Sequence, residues 1–161
     1  MSRRLAREAA IRTLFQIDAS HAQVEQALTY NISELGVSEK NVPFAQQLVE
    51  GALKHLDEID QTISRHSDHW SIERMARTDR SILRMAVYEI LFIHDIPGSV
   101  SVNEAVELAK EYGDADSGNP SQSPRPKRDV IESNPSMETL STFFKRCFPS
   151  KAFLITPLPA R

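Results

Sequence analysis

The residues of this chain best suited to chemistry lie at its start. Arg3, Arg4, Arg7 and Arg12 face only Glu8 and Asp18 within the first 20 residues. On a helix Arg3 and Arg7 stand one turn apart, while Arg4 lies above Glu8, Ile11 and Phe15 on a neighbouring face. Guanidinium forks match phosphate oxygens, and an aromatic ring beside them gives an unpaired base a surface to stack on. The pattern suits single-stranded nucleic acid. It is equally that of a solvated helix end with Phe15 in the core, so the arginines by themselves leave both readings open.

The remaining candidates are weaker. His66 and His69, beside Asp68, have a spacing that suggests metal ligands, but no cysteine or third histidine lies nearby to complete a site, and they read as a solvated helix end. The carboxylate pairs Asp57 and Asp60, and Glu104 and Glu107, read as exposed helix charges. There is no Gly-rich phosphate loop, nucleophile elbow or HExxH, and Cys147 has no histidine partner that the sequence can place. These features point to a binding protein that needs no cofactor or metal, rather than to an enzyme.

The element that must position the arginines is Asp79 to Asp95. Ile82, Leu83, Met85, Ala86, Val87, Ile90, Leu91, Phe92 and Ile93 leave only a thin polar line through Arg80, Arg84 and Glu89. A helix here is apolar around most of its circumference and has to be surrounded. Thr78 is placed to cap it, and Ile96-Pro97-Gly98 stops it. At 1.5 Å per residue the rod spans roughly 25 Å, one small domain across.

Amphipathic segments flank it on both sides. Ser2 to about Ala19 carries Ala6, Ala10, Thr13, Leu14 and Ile17 as a stripe, and Gln23 to about Ser33 carries Val24, Ala27, Leu28 and Ile32. Gly36 to Asn41 reads as a linker. From Pro43 a stripe through Phe44, Leu48, Ala52, Leu56, Ile59 and Ile63 predicts one long helix ending near His66. Trp70 to Ala76 predicts a short helix capped by Ser71. Ser101-Val-Asn-Glu104 has the form of a capping box and opens a helix that ends at Tyr112-Gly113. About six helices with short loops and no strand alternation predict an all-α fold of bundles.

Charge is unevenly spread. Residues 1 to 116 hold 12 Lys+Arg against 19 Asp+Glu, a net of −7, whereas residues 117 to 161 hold 7 against 3, a net of +4. An acidic body excludes a protein coated in nucleic acid and confines any such contact to a local patch. One cysteine in 161 residues fits a reducing compartment. No apolar run reaches 18 residues and no signal-peptide core follows the arginines, so the expectation is a cytoplasmic protein without membrane contact. Seven of the nine prolines lie at or after position 120, where too little apolar content remains to order the chain. Within that tail Met137, Leu140, Phe143, Phe144 and Cys147 recur at helical spacing over 136 to 148.

Four stretches taken together resemble the NusB family of transcription antitermination factors: RRLAREAAIRTLFQ at 3 to 16, FAQQLVEG at 44 to 51, DRSILRMAVYEI at 79 to 90 and VNEAVELAKEYGDADSG at 102 to 118. The resemblance implies two small helical bundles, here 1–68 and 69–118, with an irregular tail over 119–161. It implies no enzymatic activity. It implies binding to the boxA element of ribosomal RNA leader transcripts together with NusE, a small-subunit ribosomal protein, in a complex on RNA polymerase that suppresses premature termination. Some members pair as homodimers that hide the RNA surface. By the same resemblance Arg3, Arg4, Arg7 and Phe15 belong to the RNA site, Asp116 borders it, and Asp79 and Glu73 face NusE. If roughly three to five phosphates are neutralised, the log-log salt slope is about −2 to −3.5.

The resemblance stops after Asp-Ser-Gly at 116 to 118. The family continues with a Lys-Phe-Val-Asn-Gly-like stretch that opens its last helix, and this chain has Asn119-Pro120-Ser121-Gln122 instead. The abrupt change reads as a frameshift or a mispredicted gene end. Two expectations follow from it: that 136 to 148 fills the vacated groove, or that the chain is an interaction module that keeps NusE and has lost RNA.

Overall fold

The computed structural model describes residues 2–66 and 71–113. His69, Trp70, Asp116, the expected boundary near 68 and the tail over 119–161, with its expected helix at 136–148, lie outside the described residues. Among the described residues six α-helices follow one another: α1 Ser2–Ser20, α2 Val24–Leu35, α3 Val42–Lys54, α4 Leu56–His66, α5 Arg77–Phe92 and α6 Gly98–Gly113. Short 3-10 turns at Glu39–Asn41 and Ile72–Arg74 join α2 to α3 and α4 to α5. No strand occurs among the described residues, and the fold is all-α as the periodicity predicts.

Helix α5 is the axial rod. Ile82, Leu83, Met85, Ala86, Val87, Tyr88 and Ile90 are all buried, and α1, α3, α4 and α6 pack around it. Its side chains join those of every other helix in one continuous apolar core. Fully burying an aliphatic side chain of this size contributes about 1.5–3 kcal/mol, so the rod supplies much of what holds the helices together. The rod starts earlier than the sequence suggests. Ala76, not Thr78, occupies the capping position and makes no side-chain bond, and Thr78 and Asp79 fall in the first turn. The rod also ends earlier, at Phe92, with Ile93 as its C-cap.

The single long helix expected from Pro43 to His66 is two helices. His55 leaves helical geometry (φ −106°, ψ 25°), although its N–H still donates to the Gly51 carbonyl at 3.0 Å. Two contacts with α5 account for the bend. The Tyr88 ring lies where a Cβ on residue 51 would sit, 2.0 Å from Cζ, so only glycine admits it. The His55 ring stacks on Phe92 with centroids 4.2 Å apart. Beyond the bend Ile59 and Ile63 are fully buried. The apolar stripe runs unbroken because both halves face α5, and a period does not register a change of axis.

Other boundaries shift for local reasons. Helix α6 begins at Gly98, and the expected capping box does not form there: the Ser101 hydroxyl donates to Glu89 Oε1 at 2.7 Å. The helix expected over Trp70 to Ala76 is a 3-10 turn that buries Ile72 and Met75, and Ser71 makes no cap bond. His66 is buried, with Nδ1 2.8 Å from the Thr62 carbonyl oxygen, rather than solvated. Helix α2 ends on Gly36 in the left-handed region (φ 64°), whose N–H reaches back to Ser33 and which lets Val37 N–H reach Ile32. Between α1 and α2 the buried Asn31 amide donates to Thr13 Oγ1 (3.1 Å), Gln16 Oε1 (3.2 Å) and the Ala27 carbonyl (2.8 Å).

Candidate nucleic-acid interface

Ala6, Ala9 and Ala10 are completely buried on α1 and let α2, α3 and α5 approach its backbone closely. The arginines between these alanines are consequently sorted by where their long side chains can go. Arg3 remains exposed, its guanidinium 5.2 Å from the centroid of the Phe44 ring on α3. Arg4, with 38% of its side chain exposed, donates through Nη2 to Glu111 Oε2 on α6 at 2.9 Å. That hydrogen bond holds the Arg4 guanidinium above its ordinary pKa, and Glu104 and Glu107 on the same helix add to the effect. Phe15 presents an exposed ring about three turns along, 39% accessible.

Arg7 does not share this surface. Only 4% of its side chain is accessible, and it forms a two-pronged pair with Glu89 on the rod, itself 1% accessible. Nε lies 2.9 Å from Oε2 and Nη2 lies 2.6 Å from Oε1. Ser101 completes the carboxylate, while Glu104 sits 3.9 Å from Nη1. The Arg7 guanidinium carbon is 5.4 Å from the centroid of the same Phe44 ring that Arg3 covers.

Arg12 is likewise engaged. Its Nη2 donates to Glu8 Oε1 at 2.9 Å and its Nε to the Tyr112 hydroxyl at 3.0 Å, and Tyr112 in turn donates to Glu8. Burial and the Glu8 carboxylate push the Tyr112 phenol up to about 12. The hydrogen bond that Arg12 donates to Tyr112 keeps its guanidinium above the ordinary value. The C-terminal part of α6 is therefore clasped to the arginine face of α1.

A second ionic cluster lies at the other end of α1. Asp18 accepts from Arg80 at 2.5 Å and lies 3.6 Å from Arg84 and 3.8 Å from Arg77. Arg84 also pairs with Asp60 on α4 through two bonds of 2.8 Å. The polar line on the rod is thus a row of internal partners, and Asp60 is an anchor rather than a free surface charge. Nearby, Glu73 is exposed and lines a shallow groove with Asp57 and Asp60. Its carboxyl is held below the usual range by its own backbone N–H first, then by the Ser71 hydroxyl and the field of Arg80. Asp79 is half-buried in the first turn of α5.

Of the residues singled out in the sequence, Arg3, Arg4 and Phe15 are accessible on α1, Arg7 is beneath them, and Asp116 lies outside the described residues. Glu89, Phe44, Glu111 and Tyr112 were not foreseen as members. A signal for Glu89 existed: it is the sole carboxylate within the apolar run from Ser81 to Ile93, and a charge buried there requires a partner. Among the described residues no cluster of three or more His, Cys, Asp or Glu is arranged to hold a metal, and no helix is long and apolar enough to cross a membrane.

Comparison with known proteins places this geometry. The model of the NusB family matches residues 4–119. The transcription antitermination protein NusB of Bacillus subtilis (strain 168) is 49% identical over 114 residues, covering 71% of this chain and 84% of that protein. Among solved structures, NusB of T. maritima superposes with a TM-score of 0.63 at 38% identity, covering 68% of this chain and 78% of the other. A structure of antitermination factors NusB and NusE in complex with double-stranded RNA gives a TM-score of 0.63 at 27% identity, covering 69% and 83%.

Proposed function

The chain belongs to the NusB family, and from that premise we propose that it binds boxA RNA of ribosomal leader transcripts together with NusE and helps RNA polymerase to suppress premature termination. The observation that carries this reading is the accessible face of α1, along which Arg3, Arg4 and Phe15 reach solvent on an otherwise acidic body. Arg3 and Arg4 offer forks to phosphates, and Phe15 offers its face to an unpaired base. Asp116 borders this surface in the same proposal. Two accessible forks predict a single-strand salt slope of about −1.4, shallower than three or more arginines would give.

Weak intrinsic grip makes a partner necessary. Glu73 stays ionised at an acidic groove beside Asp57 and Asp60, and with Asp79 at the start of α5 it forms the surface on which the basic NusE docks. The family is non-enzymatic, and this chain acts in the cytoplasm as a binding protein without catalysis. The test is a titration of boxA RNA with and without NusE, using the parent chain, Arg3→Ala and Arg4→Ala. The expected result is NusE-dependent binding that each substitution weakens severalfold. Binding to NusE with none to RNA would establish the alternative, an interaction module that has lost its RNA role. Equal RNA affinity for all three proteins would remove the arginines from the site.

A further inference from the structure

The arginine that the sequence groups with Arg3 and Arg4 is the one that cannot reach solvent, and what it does instead is written in its contacts. From Ser101 on α6 a column of contacts runs to Glu89 on α5, then to Arg7, then to the Phe44 ring on α3, and ends at the exposed guanidinium of Arg3. Each step is short and directional: 2.7 Å, 2.6 Å, and two guanidinium carbons at 5.4 and 5.2 Å from one ring centroid. We infer that Arg7 is a positioning residue of the RNA site, which with Glu89 fixes the Phe44 ring as the platform on which Arg3 is held ready for a phosphate. The inference rests on the RNA-binding reading above and deepens it.

The physical case has three parts. Arg7 commits its Nε–Nη2 edge to Glu89, its Nη1 lies 3.9 Å from Glu104, and only 4% of its side chain is accessible, so a phosphate cannot engage it two-pronged without opening a buried pair. A long arginine on the first turns of a helix otherwise samples many rotamers, and ordering it on binding costs affinity. Resting Arg3 on an aromatic ring that the buried Arg7 also contacts reduces that cost before the RNA arrives. Phe44 comes from α3, so the column also fixes the spacing of α1 against α3 at the site.

The salt dependence of RNA binding separates the roles an arginine can have. One that neutralises a phosphate takes about 0.7 from the log-log slope when removed, whereas one that positions another lowers affinity and leaves the slope alone. The test is a titration of boxA RNA in the presence of NusE across a salt series, with the full-length chain, Arg3→Ala, Phe44→Leu and the double variant Arg7→Met with Glu89→Met. The double variant removes both buried charges together, which such sites tolerate, and its folding is checked by helix content and melting. Arg3→Ala is expected to bind more weakly with a slope shallower by about 0.7. The double variant and Phe44→Leu are expected to bind roughly fivefold more weakly than the parent with the parental slope. A slope lowered by about 0.7 in the double variant overturns the inference by making Arg7 a phosphate ligand. Parental affinity in a folded double variant overturns it by making the pair purely structural. Failure of the parent itself to bind RNA brings down the functional reading and this inference with it, a pattern distinct from both.

Discussion

The two ends of α1 are fastened to the same rod by opposite means. Near its start, Arg7 meets Glu89 in a dry, two-pronged pair with under 5% of either side chain accessible. Near its end, Asp18 sits one-fifth exposed among Arg77, Arg80 and Arg84, with Asp60 sharing Arg84. A desolvated pair is all or nothing, because losing one partner strands the other charge away from water. A cluster with more cations than anions and partial access to solvent spreads any single loss over several contacts. The arginine-rich end of the helix has the rigid fastening and the other end the forgiving one.

The strongest way to break that contrast is to strand Arg7. Glu89→Leu is expected to lower stability by about 3–5 kcal/mol in urea titration, and adding Arg7→Met should return most of it. Asp18→Ala should cost less, about 1–2 kcal/mol, since its arginines keep Asp60, the Ile72 carbonyl and water. Equal costs at the two ends would erase the distinction. The clasp between α1 and α6 sharpens it through pH. The folded chain holds the Tyr112 proton up to about 12 against an ordinary value of 10.0, so its contribution is complete below pH 10 and is lost as pH rises from 10 to about 12. Urea midpoints of the parent and Tyr112→Phe should therefore converge across that window. Glu111→Gln should have the smallest effect on stability, within about 0.5 kcal/mol, because the pair with Arg4 is exposed. The same substitution should strengthen RNA binding by roughly twofold in the titration, as Arg4 no longer leaves a carboxylate to reach a phosphate.

The elements of this fold were legible where one period dominates. The apolar circumference of 79 to 93 announces a buried rod, and the stripes of α1, α2 and α6 announce its neighbours. What the sequence concealed depends on pairs far apart in the chain. Glu89 and Arg7 are 82 residues apart and Arg12 and Tyr112 are 100, so no local spacing links them. The bend at His55 arises from Tyr88 and Phe92 on another helix, and a stripe facing the same core gives no notice of it. Ser101 was misread for the same reason: a serine followed at three residues by glutamate has the form of a cap, but a buried carboxylate across the interface claims its hydroxyl. In the site itself, exposure was what the arginine spacing could not settle. Arg3 and Arg7 share one face in a helical projection, and side chains from α3, α5 and α6 decide that only the second is enclosed.

Asn31 has a consequence for how α2 is seated on α1. Two greasy helix faces can slip past each other by one turn, about 5.4 Å, with little change in what they bury. An amide that must find Thr13 and Gln16 across α1 permits one setting and leaves a slipped hairpin with an orphaned donor. Residue 31 therefore keys the hairpin, admitting a single register of α2 on α1.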